Sequence, residues 1–193
     1  MAIATAALED ARARILDAAF ERAERFGLGR TTLAEVARAA RLSRQTVYRY
    51  FPNRHALFAA LVLREEERIV ERVRASVGAE QDLRRALQSA FTECLRALRE
   101  HPLLDKVMAT EPHELLPYLT VEANPVMSLG MRLMAEVLAA RAPRLDARRA
   151  TVAAEMCARI FISYAITPAA DDPRDVAADL AALIVKGIQG DEA

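Results

Sequence analysis

Residues 32–51 read TLAEVARAARLSRQTVYRYF, and this stretch decides the fold. Thr32 and Glu35 have the Thr-x-x-Glu spacing of a capping box, in which the hydroxyl and the carboxylate each accept from the other residue's backbone amide. The pattern starts a helix at Thr32 and buries Leu33, Val36, Ala37 and Ala40 on one face. Arg41 to Ser43 turn the chain, and Ser43 is a good N-cap for a helix over Arg44 to Tyr50. Phe51-Pro52 ends that helix, because the residue before proline avoids the helical region. Two short helices joined by a tight turn have the shape of a helix-turn-helix.

Charge is local here. The whole chain carries 27 basic and 27 acidic residues and no formal net charge. Between Arg38 and Arg54, however, lie five arginines (Arg38, Arg41, Arg44, Arg49, Arg54) and no Asp or Glu. A basic patch on a helix-turn-helix suits a phosphate backbone. On the second helix Arg44, Gln45, Tyr48 and Arg49 share one face, while Val47, Tyr50 and Phe51 lie towards the other. Arg binds guanine and Gln binds adenine bidentately, so the outer face can read base edges. Thr46 and the helix start suit a phosphate oxygen. A solvated arginine face in an ordinary bundle would give the same pattern.

Working outward, the rest reads as all helix. Strong helix formers fill the proline-free stretches 54–100 and 145–166, and no useful two-residue alternation is seen. The expected helices are Glu9 to Phe26, closed by Gly27; Asn53 to about Ser76, closed by Gly78; Asp82 to Arg99; Val126 to Arg141; Asp146 to Ile166; and Asp172-Pro173 to Gln189, closed by Gly190. Pro102, Pro112, Pro117 and Pro125 break the middle into short pieces. Cys94 and Cys157 lack metal spacing and read as buried hydrophobes. The N-terminus has no basic region before Glu9, and no uncharged stretch approaches the roughly 20 residues of a spanning helix. A soluble cytoplasmic protein without membrane, metal or cofactor is expected.

The segment Ile15-Leu16-Asp17-Ala18-Ala19-Phe20, then Phe26-Gly27, Thr31-Thr32, Val36-Ala37, Ala40, Leu42-Ser43, Thr46 to Phe51 and Leu57 resembles the TetR family of bacterial transcriptional regulators. Two positions depart from the family pattern. Arg41 stands where Gly is usual, which carries strain if the backbone there is left-handed. Arg54 stands where Lys is usual, with the charge kept. The resemblance implies an all-α fold, with a three-helix DNA-binding domain over residues 1–60 and a helical ligand-binding and dimerisation domain over 61–193. It implies that Thr32, Thr46, Tyr48 and Arg54 contact phosphates of double-stranded DNA. Arg44, Gln45, Tyr48 and Arg49 are the candidates for base edges, and Tyr50 and Phe51 lock the recognition helix.

The expected function is a dimeric repressor released from a palindromic operator by a small hydrophobic ligand. The alternative is a carrier or sensor with an inactive DNA-binding head. A helical enzyme is a third class, but no nucleophile, phosphate-loop or dinucleotide motif is present. The last two helices would pair with a second copy through Val152, Met156, Ile160 and Tyr164, and through Val176, Leu180, Leu183 and Gly187. Met127, Met131 and Met134 share one helix face, which reads as core or as a pocket wall. Phe91, Cys94, Met108, His113, Tyr118 and Phe161 are the other candidate ligand contacts. Glu111 and Glu114 beside His113 read as solvated helix-end charges.

Overall fold

The computed structural model describes residues 2–78 and 80–189. The expected stop at Gly190 lies outside them. The described residues form ten helices and no strand: α1 (Ala2–Phe26), α2 (Leu33–Ala39), α3 (Arg44–Tyr50), α4 (Arg54–Val77), α5 (Leu83–Arg99), α6 (Leu104–Thr110), α7 (Pro112–Leu119), α8 (Asn124–Arg141), α9 (Ala147–Ile166) and α10 (Pro173–Gln189). Among the described residues no helix is long and apolar enough to cross a membrane. The all-α reading holds, and most boundaries fall within two residues of expectation. The first helix begins earlier than Glu9, because the alanine-rich run before it contains no breaker.

Side chains set the starts of α2, α3, α4, α5 and α9. Thr32 and Glu35 make the full capping box, and Ser43, Asn53, Asp82 and Asp146 each accept a backbone N–H with the side chain. Gly27 follows α1 at φ +89°, as a left-handed cap requires. Gly78 does not serve that way, since its φ of −53° is right-handed.

The turn between α2 and α3 is a Schellman motif. Leu42 N–H donates to the Ala37 carbonyl at 2.9 Å, and Arg41 N–H donates to the Arg38 carbonyl at 3.2 Å. This places Arg41 at φ +54°, the only positive φ of a non-glycine residue among those described. The Arg14 guanidinium of α1 donates to the Ala40 carbonyl at 2.8 Å and so pins the same turn.

Two clusters of buried side chains form the core. The first joins α1, α2 and α3 to the start of α4 through Ile15, Leu16, Val36, Val47, Phe51, Leu57 and Phe58. Leu103, Val107 and Tyr118 of the α6–α7 region also enter it. The second lies among α4, α5, α8, α9 and α10, around Val73, Leu87, Phe91, Met134, Leu138, Cys157 and Ala181. Helix α4 runs through both. At 1.5 Å per residue its length is about 36 Å.

A left-handed residue with a Cβ costs about 1–2 kcal/mol, and part of the gain from glycine is lost to its freedom in the unfolded chain. Arg41→Gly is therefore expected to stabilise the protein by about 0.5–1 kcal/mol, raising the melting temperature by about 2 °C. Thermal unfolding followed by circular dichroism checks this. An unchanged or lower midpoint would mean that the turn stores no strain.

Candidate DNA interface and ligand cavity

Helix α3 owes its orientation to the side it buries. Val47 and Phe51 are buried and Tyr50 is half-buried, so the opposite face points out of the molecule. That outer face carries Arg44, Gln45, Tyr48 and Arg49, all exposed. Among the described residues, Arg38, Arg41, Arg44 and Arg49 enter none of the ion pairs that hold Arg22, Arg54, Arg64, Arg68, Arg72 and Arg74. The basic patch thus keeps its charge available to an external anion. Thr46 sits at the entry of the same helix, its hydroxyl 2.8 Å from the Ser43 hydroxyl. Thr32 is exposed at the start of α2, its hydroxyl donating to Glu35 at 3.0 Å. The Thr32 amide also donates to Glu35, and this bond first among the causes lowers the Glu35 carboxyl pKa.

Arg54 has a different place from its six companions. Its guanidinium turns inward and donates to the Thr31 carbonyl at 3.3 Å, the Leu28 carbonyl at 2.7 Å and Glu114 Oε2 at 2.8 Å. It also lies over the Phe58 ring at 4.5 Å. The reason is chain geometry. Arg54 opens α4 just behind the 27–31 turn, whose carbonyls face it. The pair Glu111 and Glu114, read from sequence as solvated, is instead part of a grip on the helix-turn-helix unit. Glu111 Oε2 accepts from Gly29 N–H at 3.1 Å, and a Cβ on Gly27 would fall 2.9 Å from both Glu111 oxygens. Lys106 of α6 donates to the Glu24 carbonyl. Tyr118 shares a hydrogen bond of 3.1 Å with His55, whose other ring nitrogen lies 3.0 Å from Glu122.

Beneath this grip lies an apolar cavity of about 150 Å³. Helix α4 supplies its longest wall, with Phe58, Leu61, Val62, Glu65, Glu66, Ile69, Val70 and Val73. The remaining walls come from α5 to α9, and Leu28 of the helix-turn-helix unit closes one end. Of the candidate ligand contacts, Cys94, Tyr118 and Phe161 line the cavity. Phe91, Met108, His113, Met127, Met131 and Met134 do not. On α8 the cavity is faced by Val126, Gly130 and Leu133. The methionines stand one position further on, about 100° around the helix. Met134 is fully buried in the second core cluster, and Phe91 lies behind Phe161 with ring centroids 4.8 Å apart. His113 is exposed.

Glu65 and Glu66 were missed. The signal was present, since both fall on the inner stripe of α4 that Phe58, Leu61, Val62, Ile69 and Val73 mark as buried-facing. Burial raises the Glu65 carboxyl, but His101, Arg64 and Arg68 outweigh it and hold it near 2. Glu66 has no such escort. Burial pushes it up to about 8, the Glu67 charge adds to the rise, and Arg132 opposes it. The Cys94 thiol is likewise pushed up, first by burial.

The chain's matches to known proteins agree with this geometry. Residues 15–61 match the model of bacterial regulatory proteins of the tetR family, and residues 82–186 match the bacterial tetracyclin repressor C-terminal domain. The chain belongs to the TetR family of transcriptional regulators. It is a DNA-binding helix-turn-helix regulator and not an enzyme. It is 31% identical to the regulator AlkX of Mycobacterium tuberculosis, over 79% of this chain and 73% of that one. It is also 31% identical to the repressor KstR of Rhodococcus jostii, over 72% of this chain and 65% of that one. The crystal structure of the TetR-family repressor AlkX from a Dietzia strain, implicated in biodegradation of n-alkanes, superposes with a TM-score of 0.77. That match has 30% identity and covers 91% of this chain and 96% of that one.

The inward place of Arg54 makes a testable difference. A phosphate contact would add about one unit to the dependence of DNA affinity on salt. Arg54→Ala is expected to leave that slope unchanged. It should instead cost about 2 kcal/mol, lowering the melting temperature by about 4–8 °C, because Glu114 and two carbonyls lose a charged donor. Salt-dependent fluorescence anisotropy with DNA and thermal unfolding provide the two readouts.

Proposed function

We propose that this TetR-family chain is a homodimeric repressor, acting in the cytoplasm and released from a palindromic operator by a small apolar ligand. The observation that carries the reading is the course of α4. One helix walls the cavity, begins at the helix-turn-helix unit and anchors it through Arg54. A ligand that spreads the cavity walls presses directly on α4 and α7, the two wall helices that hold the helix-turn-helix unit. A tilt of about 5° over the length of α4 displaces its far end by about 3 Å. Two recognition helices must sit about 34–36 Å apart, or a multiple of that, to enter successive major grooves on one face of DNA. A displacement of that size spoils the spacing. The relatives named as repressors support the direction of control. The one implicated in n-alkane biodegradation supports a hydrocarbon-like ligand.

Linkage provides the test. A ligand that releases DNA must bind more weakly to the operator-bound protein, by the same factor as it weakens DNA. Calorimetric titration of aliphatic compounds, with and without operator, measures that factor. Equal affinity in both states would reject the mechanism. Within the interface, Thr32, Thr46 and Tyr48 are assigned to phosphates, and Arg44, Gln45 and Arg49 to base edges, with Tyr48 able to reach either. Arg44→Ala and Gln45→Ala are then expected to weaken operator binding by about 1–3 kcal/mol while changing affinity for random DNA much less. Equal losses on both DNAs would remove the base-reading role.

Dimerisation is assigned to α9 and α10. Val152, Met156 and Leu183 are exposed by 50%, 52% and 68%, and nothing lies within 4 Å of a Cβ placed on Gly187. Together with Ile160, Leu180 and Ile184 they line one open groove between the two helices. An apolar surface of this kind on a regulator that must span two half-sites suits a second copy. Leu183→Asp is expected to give a monomer in sedimentation analysis and to weaken operator binding at least tenfold. A variant that stays dimeric would move the interface elsewhere.

A further inference from the structure

We propose that Glu66 is the polar anchor of the cavity, and that the ligand is an uncharged aliphatic molecule carrying a hydroxyl group which meets this carboxyl. The inference rests on the reading of the cavity as a ligand site and adds the chemistry of the ligand's head. Three observations support it. Glu66 belongs to the cavity wall, midway along α4 between Val62 and Val73. Its Oε2 is buried and has no hydrogen-bond partner among the described residues. Its neighbour Glu65 is satisfied by Arg64 and Arg68 at 2.9 Å and lies 3.9 Å from His101.

A buried polar atom without a partner costs free energy, and native proteins keep few of them. Here the residue that carries the atom belongs to the wall of a cavity that is otherwise almost wholly apolar, so a small side-chain rotation would bring the carboxyl to whatever occupies it. Burial and the neighbouring Glu67 charge favour the neutral form of Glu66, and Arg132 works against it. The other titratable side chains in the cavity wall are Glu65, Cys94, His101 and Tyr118. No Lys or Arg lines the cavity, while Glu65 is ionised beside Glu66. A carboxylate ligand would meet this negative charge with no Lys or Arg among the lining residues to receive it. A plain alkane would leave Oε2 unanswered. A hydroxyl can donate to Glu66 and accept from it, and brings no charge into the apolar site.

The size of the site sets the probes. A cavity of this volume accommodates a six-carbon ring. The test compares n-hexane, 1-hexanol and hexanoate by ligand-observed NMR titration of the full chain and of its Glu66→Leu and Glu66→Gln variants. Wild-type protein is expected to bind 1-hexanol at least tenfold more tightly than n-hexane and at least tenfold more tightly than hexanoate. Glu66→Leu should still bind n-hexane but lose the preference for the alcohol, whereas Glu66→Gln should keep it, since an amide can also donate and accept. Hexane binding retained by Glu66→Leu shows that the variant is folded. Equal affinity for alkane and alcohol, an alcohol preference that survives in Glu66→Leu, or tightest binding of hexanoate would each overturn the assignment and leave the cavity a ligand site. If none of the three probes binds wild-type protein, both the assignment and the apolar-ligand reading fall together.

Discussion

Two carboxylates of α7 and its cap, Glu111 and Glu114, hold the helix-turn-helix unit in its place. One accepts from a backbone amide of the 27–31 turn, the other from the guanidinium that opens α4. The contact is polar, short and dependent on geometry, since Gly27 must lack a side chain for Glu111 to come so close. Charge-assisted bonds of this kind lose much of their strength with modest displacement. The orientation of the outer face of α3 relative to the rest of the molecule therefore depends on where α7 sits. Since Leu115, Tyr118 and Leu119 of α7 also line the cavity, the same short helix touches whatever fills it.

The cavity and α4 complete this coupling from the other side. An apolar stripe on α4 would by itself seal against α5, α8 and α9. Two acidic residues in that stripe prevent a fully apolar seam. One is matched by two arginines, and the other keeps a buried oxygen without a partner among the described residues. The fold thus carries this unanswered carboxyl oxygen inside an otherwise apolar seam, at a cost in stability.

Much of the fold was legible in the sequence, because helix caps and proline breaks act locally. Thr32 with Glu35, Ser43, Asn53, Asp82 and Asp146 all cap as their types and positions suggest. The strain at Arg41 followed from a family pattern and a turn that requires left-handed backbone. The exposed face of α3 was also readable, since seven residues have few ways to bury Val47 and Phe51. Contacts between distant segments were not readable. Nothing local says that Arg54 meets Glu114, 60 positions away, or that the 27–31 turn sits on Glu111. The cavity wall of α8 was misjudged by one position. A helix rich in apolar residues on several sides does not reveal which side faces a void, and the methionines lie next to the right face. Glu65 and Glu66 were readable in principle, as charges in an apolar stripe, but their position in a run of three glutamates hid the phase.

The buried thiols set a boundary on what this regulator can sense. Cys94 lines the cavity and Cys157 lies in the second core cluster, and burial pushes both above the ordinary thiol range, Cys157 to about 12. The thiolate is the reactive form towards peroxides, disulfides and electrophiles, and burial disfavours it at both sites. A compound that reaches Cys94 through the cavity meets a small apolar surface instead of a nucleophile. Burial thus leaves neither thiol, in this arrangement, as a ready point for covalent capture, and Cys94 contributes to the cavity wall only as packing surface.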